Sequence, residues 1–141
     1  MGLFNIFGKG KTSFVKKLFK EHKEILTAIQ DFKTLQSTNN PQKTKAQIKL
    51  IHQLVEEHAI KEEEVLKYLE NTHRQDLHEE FTYLKNEMRK ILNNFFDKYE
   101  NHVIGVSKEE FLKEINIIED KMRYKMRKEE TEYYVLYKNG N

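Results

Sequence analysis

The chain has 141 residues, enough for one domain with a single core, and carries 34% charged residues with a net charge of +2. Acids and bases are interspersed, so no nucleic-acid footprint emerges. The absence of cysteine excludes disulfides, thiolate metal sites, iron–sulfur clusters and cysteine nucleophiles. No apolar run approaches the roughly 18 residues of a membrane span. The opening Met1–Phe7 segment is too short for a signal peptide. A cytoplasmic protein is the default expectation.

One Pro, five Gly, no Trp and long helical periodicity predict an all-α protein. Residues 1–12 read as a basic and apolar tail that packs on the body of the protein or touches a membrane surface. Gly10-Lys11-Thr12 imitates the end of a phosphate-binding loop, but Asn5 stands where that motif needs glycine. Ile6 likewise occupies the Ser/Thr position of a myristoylation signal.

The first helix is expected from about Ser13 to Gln36, with Val15, Leu18, His22, Ile25, Ile29 and Phe32 as its inner stripe. Asn40 then caps a second helix whose first residue is Pro41. That helix runs to about Leu69, and its stripe is Ile48, Ile51, Val55, His58, Glu62, Val65 and Leu69. His58 and Glu62 are four apart, so imidazole and carboxylate point into the same interior. A buried carboxylate needs compensation, from a metal ion or from a buried Lys or Arg.

Thr72 and Gln75 suggest a capping box for a third helix reaching Tyr99, with Leu77, Phe81, Leu84, Met88, Ile91 and Phe95 inward. His73 lies above Leu77 on that face, and His78 at its edge. Ser107 and Glu110 form a second capping box. The fourth helix carries Phe111, Ile115, Ile118, Met122, then Lys125 or Met126, Glu129 and Tyr133. Four amphipathic helices over residues 13–138 with short connections predict an antiparallel up-down-up-down bundle. Tyr124, Tyr133, Tyr134 and Tyr137 give the C-terminal end an aromatic strip that closes one bundle end or meets a protein partner.

Interior His and Glu side chains from different helices of such a bundle suit iron in mixed nitrogen and oxygen ligation. The layout over about residues 14–137 resembles the hemerythrin-like family, four-helix bundles that hold a non-haem di-iron centre and bind dioxygen. The family pattern is His on the first helix, H-x-x-x-E on the second, H-x-x-x-H on the third and H-x-x-x-x-D on the fourth. His22, and His58 with Glu62, match the first two. On the third helix His78 is the better match, since His73 and His78 are five apart and diverge by about 140° unless a π-bulge intervenes. On the fourth, Lys125, Glu130 and Tyr133 stand at the family's His, Asp and Tyr, with Glu129 as the alternative carboxylate.

The resemblance implies one or two iron ions, or another divalent metal, on His22, His58, Glu62, His78 and Glu130, with His73 and Glu129 as secondary candidates. Oxygen or redox sensing, storage, or iron handling would follow, with Tyr133 as a phenolic donor beside bound oxygen. The competing expectation is a metal-free interaction or regulatory module in which Lys125 pairs with Glu62 and Glu130, its charge replacing the metal's. An oxidase at the same site is a third reading. A Ser-His-Asp arrangement finds no nucleophile turn in so helical a chain.

Overall fold

A computed structural model describes the backbone of residues 2–140 and the side chains of residues 10–140. Helix α1 spans Gly2–Leu35, α2 Pro41–Asn71, α3 Gln75–Tyr99 and α4 Lys108–Lys128. A π-helical turn over Glu129–Tyr133 joins α4 to a last helix, α5, over Tyr134–Asn139. Consecutive helices pack on one another and α4 returns to α1, so four helical rods enclose one interior. No strand occurs among the described residues, and no helix is long and apolar enough to cross a membrane.

The helix starts follow local chemistry. Asn40 accepts a hydrogen bond from the Lys43 amide at 3.1 Å, with Pro41 at the first helical position, where its missing N–H costs nothing. Ser107 accepts from the Glu110 amide at 3.1 Å, and two acids sit in the first turn of α4, where the helix dipole favours them. The α2–α3 turn differs from expectation. The Thr72 hydroxyl bonds back to the carbonyls of Tyr68 and Leu69, closing α2. Helix α3 begins at Gln75 without a side-chain cap, and His73 has φ of 61° in the turn before it. Helix α1 also runs back through the segment expected as a tail. Whether the side chains of residues 1–9 pack on the bundle lies outside the described residues.

Inward faces of α1, α2 and α4 follow the expected stripes. That of α3 is rotated: Phe81, Lys85, Met88, Leu92, Phe95, Phe96 and Tyr99 are buried, while Leu84 and Ile91 are only half-buried. The core forms two apolar clusters. One gathers Ile25, Ile29, Phe32, Ile51, Leu92, Phe95, Phe111 and Ile115 near the α1–α2 turn. The other gathers Val15, Leu18, Val65, Leu69, Phe81, Tyr133, Tyr134 and Tyr137 near the α2–α3 turn. His22, His58, Glu62, Lys125 and Glu129 are buried at the level between them.

Charged ties hold the rods from outside that layer. Glu119 of α4 accepts from Gln30 and Lys33 of α1 and from Arg123 at 3.1 Å. His52 stacks on Phe96 with ring centroids 4.1 Å apart and meets Glu100 at 2.9 Å, tying α2 to α3. Burial alone would raise the Glu119 carboxyl, but Lys33 and Arg123 outweigh it and hold the group below its ordinary range. A depressed carboxyl contributes stability above its unfolded pKa and loses that contribution as pH falls through the folded one. Glu119→Gln should therefore cost about 1–3 kcal/mol at neutral pH. In urea titrations across pH, the gap from the unsubstituted protein should close below about pH 4.

Candidate metal centre

Four donor side chains converge in the polar layer. His22 comes from α1, His58 and Glu62 from α2, and Glu129 from the first residue of the π turn. One ligand atom from each lies within 4.8 Å of the others, and all four residues are buried.

Both imidazoles are held from behind. His22 Nδ1 lies 2.7 Å from Glu130 and His58 Nδ1 lies 2.8 Å from Glu21, which Lys61 also bonds. An ionised carboxylate only accepts, so each Nδ1 carries the proton and each Nε2 of a neutral ring keeps a lone pair. The two Nε2 atoms face each other at 3.1 Å. Outer carboxylates of this kind fix the tautomer and raise the basicity of a metal-binding histidine.

Donors inside the layer are fewer than acceptors. Lys125 donates to both Glu62 oxygens, at 3.2 and 3.4 Å, and to Glu129 Oε2. The Tyr134 hydroxyl donates to Glu62 at 2.9 Å, while lying 3.1 Å from His22 Nε2 and 3.3 Å from His58 Nε2. Glu129 Oε1 is buried 3.0 Å from His22 Nε2, yet it has no hydrogen-bond partner. The two Nε2 atoms and the unpartnered Glu129 oxygen thus meet in one buried space. The donor set fits a metal cation, with nitrogen and oxygen ligands of borderline hardness. The ammonium of Lys125 takes the space between Glu62 and Glu129.

Charge sets the protonation pattern. Burial acts to raise the Glu62 carboxyl, but the Lys125 charge and the hydrogen bonds from Glu129 and His58 hold it well below the usual range. Glu129 goes the other way, raised by burial first and by the Glu62 charge next, against the pull of Lys125. Lys125 is raised: the two carboxylates outweigh a burial that would lower it. His58 is raised too, since Glu62, Glu129 and Glu21 together overcome burial. Burial and the same two interior carboxylates push the Tyr134 phenol well up, so it stays a donor.

The expected site residues divide as follows. His22, His58 and Glu62 come together, and Glu129, the secondary carboxylate, joins them. Glu130 sits on the far side of the His22 ring, its side chain one third exposed. His78 is half-buried in the first turn of α3 and His73 is exposed, and neither belongs to the convergent group. The π-bulge considered for α3 is absent there, and a π turn lies beyond α4 instead. Lys125 pairs with Glu62 and Glu129, in place of the expected Glu62 and Glu130. Tyr133 stacks on Phe81 at 4.6 Å and donates to Glu80. The phenol in the centre is Tyr134, five residues after Glu129, and helical spacing carried no signal for it. Tyr133, Tyr134 and Tyr137 are buried, leaving Tyr124 as the exposed member of the aromatic strip.

Lys85 was also hidden from the pattern, because α3 is rotated from its expected face. It donates to the Ala59 carbonyl at 3.2 Å and to Glu63. A cavity of about 50 Å³ runs from the cluster past Met88 and Leu92 to Lys85, Ala59 and the exposed Arg89. That volume has room for water beside the cluster, since a water needs about 10–15 Å³ on the same measure.

Removing the interior ammonium should leave two uncompensated carboxylates. Lys125→Met is expected to destabilise the metal-free protein by about 3 kcal/mol or more in urea unfolding. Adding Glu129→Gln should recover a large part of that loss, because one buried charge is removed with its partner.

The Hemerythrin HHE cation binding domain family matches residues 13–137. No curated protein and no solved structure matches the chain. The match covers nearly all of the four-helix body and every residue of the convergent group, and the chain belongs to the hemerythrin HHE cation-binding domain family.

Proposed function

We propose that this protein binds one divalent transition-metal ion, non-haem iron, through His22, His58, Glu62 and Glu129, with Lys125 replacing the charge of a second. The observation that carries this reading is the pair of Nε2 atoms facing each other at 3.1 Å while both Nδ1 atoms are held by carboxylates. Two lone pairs in that position repel unless a proton or a metal lies between them, and the unpartnered Glu129 Oε1 adds a third donor. Bound iron would supply one-electron redox chemistry and an affinity for dioxygen or peroxide. The chain's own residues do the rest. Glu130 and Glu21 orient the imidazoles, Lys125 neutralises the carboxylates, and the apolar clusters above and below exclude water. Oxygen or redox sensing, or iron storage, suits such a site better than reversible oxygen carriage on two irons.

A second reading rests on Lys125. Its ammonium already lies between Glu62 and Glu129, so the layer is stable to charge without a metal, as in an interaction module that kept the fold. Elemental analysis of untagged protein after anaerobic reconstitution with ferrous iron separates the two. One equivalent per chain, lost in His58→Ala, is the expected result. No bound metal at saturating ferrous iron would establish the second reading. Lys125→His, which exchanges a cation for a neutral nitrogen donor, should raise the bound metal towards two per chain. An unchanged content in that variant would show that lysine does not set the stoichiometry.

A further inference from the structure

The Tyr134 hydroxyl stands where the candidate donors converge. It lies 2.9 Å from Glu62 Oε2, 3.1 Å from His22 Nε2 and 3.3 Å from His58 Nε2, atoms of three of the four convergent residues. A phenol carries one proton, and Glu62 accepts it. The oxygen has no second proton for the two imidazole nitrogens, whose own protons sit on Nδ1 towards Glu130 and Glu21. A transition-metal ion bonds nitrogen and oxygen ligands at about 2 Å. Drawn to these three atoms, it would compete with the phenol for the Glu62 oxygen and for the space between the rings.

The phenol is delivered by α5, a helix of six residues of which Tyr134 and Tyr137 are buried. Tyr137 anchors the helix outside the centre. Its ring centroid lies 5.7 Å from that of Phe14 and 5.5 Å from that of Tyr68. The Lys11 ammonium stands over both tyrosines, 4.2 Å from the Tyr68 centroid and 4.9 Å from that of Tyr137, and donates to the Gly140 carbonyl at 3.4 Å. One cation of α1 thereby ties α2 to α5. Gly140 packs so closely there that a Cβ would fall on the Tyr68 hydroxyl. At its other end α5 follows the π turn, where the Tyr134 amide bonds the Glu129 carbonyl.

We infer that α5 is an autoinhibitory latch, in which Tyr134 plugs the centre against a cation and Lys11 is the clasp. A cation enters when α5 swings outward about the π turn and carries the phenol off Glu62. A short helix held by two buried side chains and one half-buried cation opens at less cost than the four long rods, as local unfolding units do. What the plug excludes rests on the metal reading; the opening of α5 as a unit does not.

Two measurements on the full chain test it. In the metal-free protein, Lys11→Ala should make the amides of residues 135–139 exchange hydrogen about fivefold faster, with those of α2 and α3 unchanged. In anaerobic competition for ferrous iron against a chromogenic chelator, Tyr134→Phe should bind about tenfold tighter. That variant keeps the ring beside Phe19 and removes the hydroxyl alone. Lys11→Ala, with the phenol intact, should take up iron about fivefold faster, and this rate decides the matter if Tyr134→Phe does not fold. Weaker binding by Tyr134→Phe would make the phenol a ligand and overturn the plug. Faster exchange throughout the bundle in Lys11→Ala, or unchanged exchange in α5, would overturn the latch. Absence of iron uptake by the unsubstituted chain and both variants would overturn the metal reading and the plug with it. Iron uptake with unchanged affinity and rate in the variants would overturn the plug alone.

Discussion

The ammonium of Lys125 between the carboxylates of Glu62 and Glu129 is the interaction on which the rest of this interior depends. A four-helix bundle can be closed by apolar side chains alone, and above and below this level it is. In between, carboxylates and imidazoles are withdrawn from water, and an uncompensated charge there costs several kcal/mol. One lysine meets two carboxylates, so the layer keeps an excess of acceptors. Glu62 is held ionised while Glu129 is raised, an asymmetry that follows from two acids sharing one cation.

The π turn gives the layer its shape. Glu129 lies one α-helical turn after Lys125, so the i+4 relation brings them into contact. Past Glu129 the backbone widens, and the Tyr134 amide bonds the Glu129 carbonyl five residues back. The extra residue carries Tyr133 towards Phe81 and Glu80 and turns Tyr134 onto the histidines. It also leaves Glu130 outside, as the hydrogen-bond partner of His22 Nδ1. A regular helix would have offered one of the two tyrosines to the interior, and here both are fully buried. π turns are rare and often mark functional helices, and this one falls within the candidate centre.

Two supports come from residues that are not themselves among the four donors. Helix α3 supplies none of the four convergent residues, yet its Met88, Leu92 and Lys85 wall the cavity beside them. Glu21 holds His58 while paired with Lys61 of α2, so α1 and α2 are locked to each other through the ring they position. The family is one of cation-binding domains, and the buried His22, His58, Glu62 and Glu129 are a group that could hold a cation.

Much of this was legible in the sequence. Apolar spacing determines the helices, and Asn40 with Pro41 and Ser107 with Glu110 determine the starts of α2 and α4, since these signals are local and act within one or two turns. The His58–Glu62 pair and the place of His22 within an apolar stripe likewise predicted a polar interior, because a helix face carries its side chains inward together. Tertiary structure decided the rest. Which of Glu129 and Glu130 enters depends on a one-residue change in backbone winding beyond Lys128, which no side-chain period records. The rotation of α3 that buries Lys85 is set by packing against α2 and α4, and it leaves His78 outside the centre, while His73 stands in the turn before the helix. Periodicity says that a face is buried; only the neighbouring helices fix the angle at which it meets them.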